Sequence, residues 1–186
     1  LMQVLRLKVN GRIYFPLPFH KNKERKAEKI IFNEKILGRE VVDRMLYIWD
    51  IEEIISNTLE EHKLDINYEM NNKLPAPMSY NVSTNTIKFN YLQINGYIAN
   101  INFKIKQTDE DCVKLILYRQ LGYYLDFKKN KHDLRTIHYG GDEEKVQLLS
   151  QIERTSWEYG RTLVPEKLLI SYDQVREIDK MLIKHY

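Results

Sequence analysis

The hydrophobic and polar positions of this chain change period several times, and each change predicts an element. Near the start Leu5, Leu7 and Val9 alternate with Arg6 and Lys8, and Ile13 and Phe15 continue the alternation beyond Asn10-Gly11. Period two around an Asn-Gly pair predicts a β-hairpin over 2–18, because a type I′ turn needs positive φ at both central residues. Pro16 and Pro18 end it. Over 39–62 the period becomes helical. Val41, Met45, Ile48, Ile55 and Leu59 share a face, Trp49 lies beside it as an expected core residue, and the acids fall elsewhere. The period returns to two over 64–70, where Leu64, Ile66, Tyr68 and Met70 line one side of an expected strand. A second hairpin is expected from 80–82, through Ser83-Thr84-Asn85, to 86–90. Residues 91–106 read equally as an extended piece, from Ile98, Ile101, Phe103 and Ile105, or as a loop, from Gly96 and its asparagines.

Helices follow. Thr108 is a good N-cap, and Asp109, Glu110 and Asp111 suit the positive end of a helix dipole. The helix is expected to run to about Lys128, with Val113, Ile116, Leu117, Leu121 and Tyr124 as its apolar stripe. A polar connection over 128–142 leads to a helix over 142–160, with Val146, Leu149, Ile152, Ser156 and Tyr159 on one face. A last helix, starting at Ser171 or Asp173, carries Val175, Ile178 and Leu182. Strands followed by helices, without alternation, predict an α+β fold.

Composition narrows the class. A chain of 186 residues with 43% hydrophobic and 30% charged content suits one core with a small appendage. The expected division is an N-terminal hairpin and basic segment over 1–38 and a main domain over 39–186. The hairpin carries few core residues, so it is expected to dock on the main domain. The single cysteine, Cys112, excludes an intrachain disulfide and fits a reducing compartment, so a cytoplasmic protein is expected. No apolar run approaches the roughly 20 residues that span a bilayer, so no membrane partner is expected. A net charge of +3 is too small to argue for nucleic acid by itself. Locally, Lys21, Lys23, Arg25, Lys26 and Lys29 form a basic run that is a candidate phosphate-contacting patch. A solvated face is the commoner origin of such a run, and no helix-turn-helix or zinc-finger pattern accompanies it.

Candidate chemistry centres on the run Arg119-Gln120-Leu121-Gly122-Tyr123-Tyr124-Leu125-Asp126. Its frame Leu-Gly-x-Tyr-Leu-Asp resembles the active-site helix of small zincin-like metallopeptidases of phages and integrative elements. In those the run reads His-Glu-Leu-Gly-His-Tyr-Leu-Asp, with two histidines at i and i+4 binding zinc and a glutamate as general base. A second stretch, from Glu153 through Ser156 and Trp157 to Gly160, is similar to the family's Glu-x-x-Ala-Trp-x-x-Gly, whose glutamate is the third zinc ligand. The resemblance implies a helix, a small mostly antiparallel sheet, the motif helix and following helices, with an edge strand that receives an extended peptide. It also implies that Arg119 and Tyr123 stand for the histidines, Gln120 for the catalytic glutamate, and Glu153 for the retained ligand.

These replacements remove the usual chemistry. A guanidinium has no lone pair to donate and repels a dication. Gln120 takes no proton from water near neutral pH. Tyr123 ligates only as a phenolate, whose ordinary pKa is about 10. No metal or other cofactor is therefore expected. An Arg119–Glu153 ion pair is expected in its place. Such a fold kept for binding implies a protein or peptide partner, in a cleft formed by Tyr80, Val82, Thr86, Lys88, Tyr118 and Trp157. Two other readings compete: a nucleic-acid-associated protein using the basic run, and an enzyme with an unrelated, non-zinc site. For the last, Cys112 with His132 or His138 is the pair to weigh, and surface or capping histidines are the commoner outcome. The 13 tyrosines, among them Tyr118, Tyr123, Tyr124, Tyr139 and Tyr159, suit a recognition cleft and equally a core with its rim.

Overall fold

The computed structural model of the chain describes residues 45–102 and 104–184, together with residues 8–9 and 12–13. Strands β1 (Lys8–Val9) and β2 (Arg12–Ile13) pair antiparallel, with Val9 opposite Arg12. The rest of the expected hairpin and the basic run 21–29 lie outside the described residues. The fold is α+β. After β2 come α1 (Ile48–Glu61), β3 (Asn67–Met70), β4 (Met78–Asn81), β5 (Thr86–Phe89), α2 (Tyr91–Ile101) and α3 (Asp109–Lys129). Then follow α4 (Arg135–Tyr139), α5 (Asp142–Arg161), a 3₁₀ turn (Glu166–Leu168) and α6 (Leu169–Lys184). No helix among the described residues is long and apolar enough to cross a membrane.

Helix α1 begins at Ile48, after a non-helical 45–47; positions 39–44 of the helix expected over 39–62 lie outside the described residues. The Asp50 carboxylate accepts the Tyr47 N–H at 2.9 Å and satisfies a donor that would otherwise be orphaned at the helix start. Met45 lies before the helix and is half-exposed. Trp49, expected in the core, is 64% exposed and stacks on Tyr47 with ring centroids 4.7 Å apart.

The sheet has the order β3-β5-β4. β4 and β5 form the expected antiparallel hairpin, with Tyr80 opposite Ile87, and Asn85 in their turn takes φ 47°. The pairing of β3 with β5 is parallel, so the sheet is mixed and not mostly antiparallel. β3 also starts at Asn67, later than expected, and all four of its residues are exposed. Of the expected apolar side, Ile66 is buried and Leu64 packs against the core, while Tyr68 and Met70 farther along are 36% and 41% exposed.

Residues 91–101 are neither extended nor a loop but helix α2. Asn90 caps it, its side-chain oxygen accepting the Leu92 N–H at 3.1 Å, while its amide donates to the Leu74 carbonyl at 2.8 Å. Ile94, Tyr97, Ile98 and Ile101 fall at helical spacing and are buried. Helix α3 starts at its expected cap, Thr108, whose hydroxyl accepts the Asp111 N–H at 3.1 Å. The connection over 128–142 contains the short helix α4.

The core is one cluster that draws on α1, β4, β5, α2, α3, α5 and α6, including Ile51, Ile55, Ile87, Phe89, Ile94, Leu117, Leu121, Trp157 and Tyr172. α3 and α5 approach most closely along Gly122, Ser156 and Gly160. A Cβ on Gly122 would lie 2.0 Å from the Ser156 carbonyl oxygen. One on Gly160 would lie 2.6 Å from the Tyr118 carbonyl oxygen and 2.2 Å from the Tyr172 hydroxyl. Backbone contact of this kind holds the motif helix in register against the helix that carries Glu153.

Candidate functional site

Helix α3 is buried on nearly all sides through its middle, so positions 119, 120 and 123 each point into protein. Arg119 and Tyr123, one turn apart, share a face turned towards α5 and α6. The expected ion pair is formed: Arg119 Nη2 lies 2.7 Å from Glu153 Oε1. A second acid joins it from the last helix, with Asp179 Oδ2 at 3.2 Å from Arg119 Nη1. The Arg119 and Asp179 side chains are each only 2% exposed, whereas Glu153 keeps 33%. The cluster therefore meets solvent on the α5 side, at Glu153.

Aromatic groups complete it. The Tyr123 hydroxyl donates to Glu153 Oε2, and Trp157 Nε1 donates to Glu153 Oε1 at 2.9 Å. The Tyr97 hydroxyl donates to Asp179 Oδ1 at 3.2 Å. The Arg119 guanidinium carbon stands 5.0 Å from the centre of the Trp157 ring, within cation–π range. Trp157 in turn meets Tyr172 edge-on at 4.9 Å. Arg119 Nε is buried without a hydrogen-bond partner, which leaves one guanidinium donor unsatisfied in an otherwise bonded network.

The two carboxylates differ in their electrostatics. Burial would raise the Glu153 carboxyl, but the Arg119 charge and the hydrogen bonds from Tyr123, Trp157 and Arg119 outweigh it and hold the group below its ordinary value. For Asp179 burial wins over Arg119, with Glu153 adding in the same direction, and its carboxyl is pushed up to about 6. Tyr123 is raised by burial and by Glu153, so it stays a neutral phenol. Burial opposes the charge on Arg119, but Glu153, Tyr123 and Asp179 overcome it and keep the guanidinium firmly protonated.

Zinc needs several lone pairs aimed at one point. Here that point is taken by a cation, and the donors around it are already bonded to that cation or to one another. Among the described residues no group of three histidine, cysteine, aspartate or glutamate side chains is placed to hold a metal ion. The residues present do not fit the zinc site of the resembling family.

Gln120 has a different task. Its Oε1 accepts the Tyr80 N–H of β4 at 3.0 Å, while its Nε2 is buried without a partner. The outer edge of β4 is thereby capped by the motif helix, and all four β4 residues are buried. Of the six expected cleft residues, Tyr80, Thr86, Tyr118 and Trp157 are buried, and Val82 and Lys88 are half-buried. Lys88 is paired with Glu69 across the sheet. On β4 the outward Tyr80 N–H is already taken by Gln120, and the Tyr80 ring packs edge-on against Tyr124 at 6.0 Å, so a peptide added along β4 would have to displace the Gln120 side chain.

The Cys112–His132 or Cys112–His138 pair is not assembled. Cys112 is buried at the start of α3, and its thiol is pushed up to about 12 by burial and by Asp109 and Asp111. His132 pairs with Asp126 at 2.7 Å near the far end of α3, about 20 Å away along the helix axis. His138 is exposed beside Tyr139. His62 sits edge-on to Tyr118, and His20 and His185 lie outside the described residues. Of the tyrosines, Tyr118, Tyr123 and Tyr124 are core, Tyr159 is half-buried and Tyr139 is exposed.

Asp179 and Tyr97 were not marked by the sequence. The only trace of Asp179 is a carboxylate one turn beyond Val175 on the stripe Tyr172, Val175, Ile178, and no ligand spacing points to it. No family model, no curated protein and no solved structure matches this chain.

Proposed function

We propose that this chain is a catalytically inactive pseudo-metallopeptidase, kept for binding a protein or peptide. The observation that carries the reading is the Arg119 guanidinium, paired with Glu153 and Asp179 at the place where the resembling motifs would hold zinc. The positions of Arg119, Gln120 and Tyr123 at i, i+1 and i+4 on α3, facing Glu153 of α5, support the zincin-like comparison. The cluster offers no route to metal-assisted hydrolysis, because its one solvent-facing carboxylate, Glu153, is bonded to Arg119, Tyr123 and Trp157 and a guanidinium occupies the place of the metal. The retained binding role is supported by what remains accessible: a sheet edge on the side away from α3.

Elemental analysis of protein purified without chelator or histidine tag and incubated with zinc tests the reading. The expected result is no stoichiometric metal. One tightly bound zinc per chain would overturn it. A second arm restores the family residues with Arg119→His, Gln120→Glu and Tyr123→His together. Gain of one zinc per folded chain is expected, and a folded triple variant with no zinc affinity would count against the zincin-like comparison.

A further inference from the structure

We infer that the outer edge of β3 accepts an extended peptide in which apolar residues flank a cationic one, added as a further strand of the sheet. The inference rests on the binding reading above and moves the binding from β4 to the opposite edge. The Asn67 N–H donates to the Asn85 carbonyl at 3.0 Å and the Asn71 N–H to the Phe89 carbonyl at 2.8 Å. The odd positions of β3 therefore turn their main-chain groups towards β5, and Tyr68 and Met70 turn theirs outwards. Among the described residues no strand pairs with that side. An edge of this kind is a template for strand addition unless something blunts it. β4 is blunted by Gln120; β3 carries no proline, and none of its four residues is buried.

The side chains choose the occupant. Tyr68 and Met70, 36% and 41% exposed, offer apolar contact on one face of the strand. Glu69 lies on the other face, ion-paired with Lys88 on the β5 side and with half of its side chain still exposed. A second carboxylate oxygen can accept from the outer side, since a carboxylate offers about four acceptor positions. A second copy of this chain is a poor fit. Antiparallel pairing of Tyr68 with Met70 of the other copy would set Glu69 directly opposite Glu69, and like charges so placed are destabilising. A lysine or arginine opposite Glu69, with apolar neighbours meeting Tyr68 and Met70, satisfies the main chain and both faces together.

The test is an NMR titration of the ¹⁵N-labelled full chain with an acetylated, amidated heptapeptide of alternating valine and lysine. Saturable shifts and slowed hydrogen exchange at the Tyr68 and Met70 amides are expected. Tyr68→Pro deletes an outward N–H while leaving the β5 hydrogen bonds intact, and at least tenfold weaker binding is expected. Glu69→Lys is the second variant, should the proline disturb folding, and it is expected to shift preference to a valine–glutamate heptapeptide. The inference is overturned by no binding to the unmodified chain. It is also overturned by equal binding of the acidic peptide, or by shifts at Met78 and Tyr80 instead. Sedimentation showing a dimer that Tyr68→Pro dissolves would replace the peptide with a second copy. None of these results bears on zinc content, so failure here is separable from failure of the pseudo-metallopeptidase reading.

Discussion

Replacing Asp179 with asparagine probes how the buried cluster balances its charges. Asp179 is almost fully buried and shares Arg119 with Glu153, so one guanidinium serves two carboxylates. Its carboxyl is pushed from 3.8 up to about 6, burial outweighing Arg119. The folded chain thus binds a proton at Asp179 more tightly than the unfolded chain does. Between about pH 4 and pH 6 the folded state carries more protons, and stability attributable to this group falls as pH rises. A rise of this size corresponds to about 3 kcal/mol, present below the window and lost above it. Asparagine mimics the neutral acid and keeps an acceptor for the Tyr97 hydroxyl. Asp179→Asn should therefore be close to neutral at pH 4 and stabilising by about 2–3 kcal/mol at pH 8. Urea unfolding at intervals from pH 4 to pH 8 reads this directly. With a slope of about 2 kcal/mol per molar urea, the midpoint of the variant should exceed that of the parent by about 1–1.5 M at pH 8. If the variant is instead destabilised more at pH 8 than at pH 4, Arg119 outweighs burial and the account of Asp179 is wrong.

Four further outcomes follow from the same geometry. Arg119→Met leaves the Asp179 carboxylate buried without its cation and should cost about 3–5 kcal/mol at pH 8, less at pH 5, by the same urea assay. Arg119→Lys should recover little of it, because a point charge cannot bridge both carboxylates as the planar fork does. Gly122→Ala places a methyl group against the Ser156 carbonyl, so α3 and α5 must separate, and a loss of at least about 2 kcal/mol is expected by thermal unfolding. Gln120→Ala strands the Tyr80 N–H in the interior, which should cost about 1–3 kcal/mol and speed hydrogen exchange at Tyr80 more than at Ser79, whose register sets it towards β5.

Local signals in the chain determined much of this protein. Thr108 with its following acids set the start of α3, and the Ser-Thr-Asn stretch set the β4–β5 turn, because caps and turns are satisfied within a few residues. The helical spacing of Ile94, Tyr97, Ile98 and Ile101 was also present in the sequence, masked by Gly96 and neighbouring asparagines. Asn90, read as the last residue of the second hairpin, proves to be the cap of α2. The two short motifs brought Arg119 and Glu153 together, since a helix, a connection and a second helix leave few ways to pack. Tertiary structure alone decided the rest. Asp179 reaches Arg119 across 60 residues and Tyr97 across 82. Gln120 caps β4 across 40. Periodicity shows which face of an element is apolar but not which element will cover it. Trp49, Tyr68 and Met70 therefore stayed exposed while a carboxylate from the last helix was buried against the motif arginine.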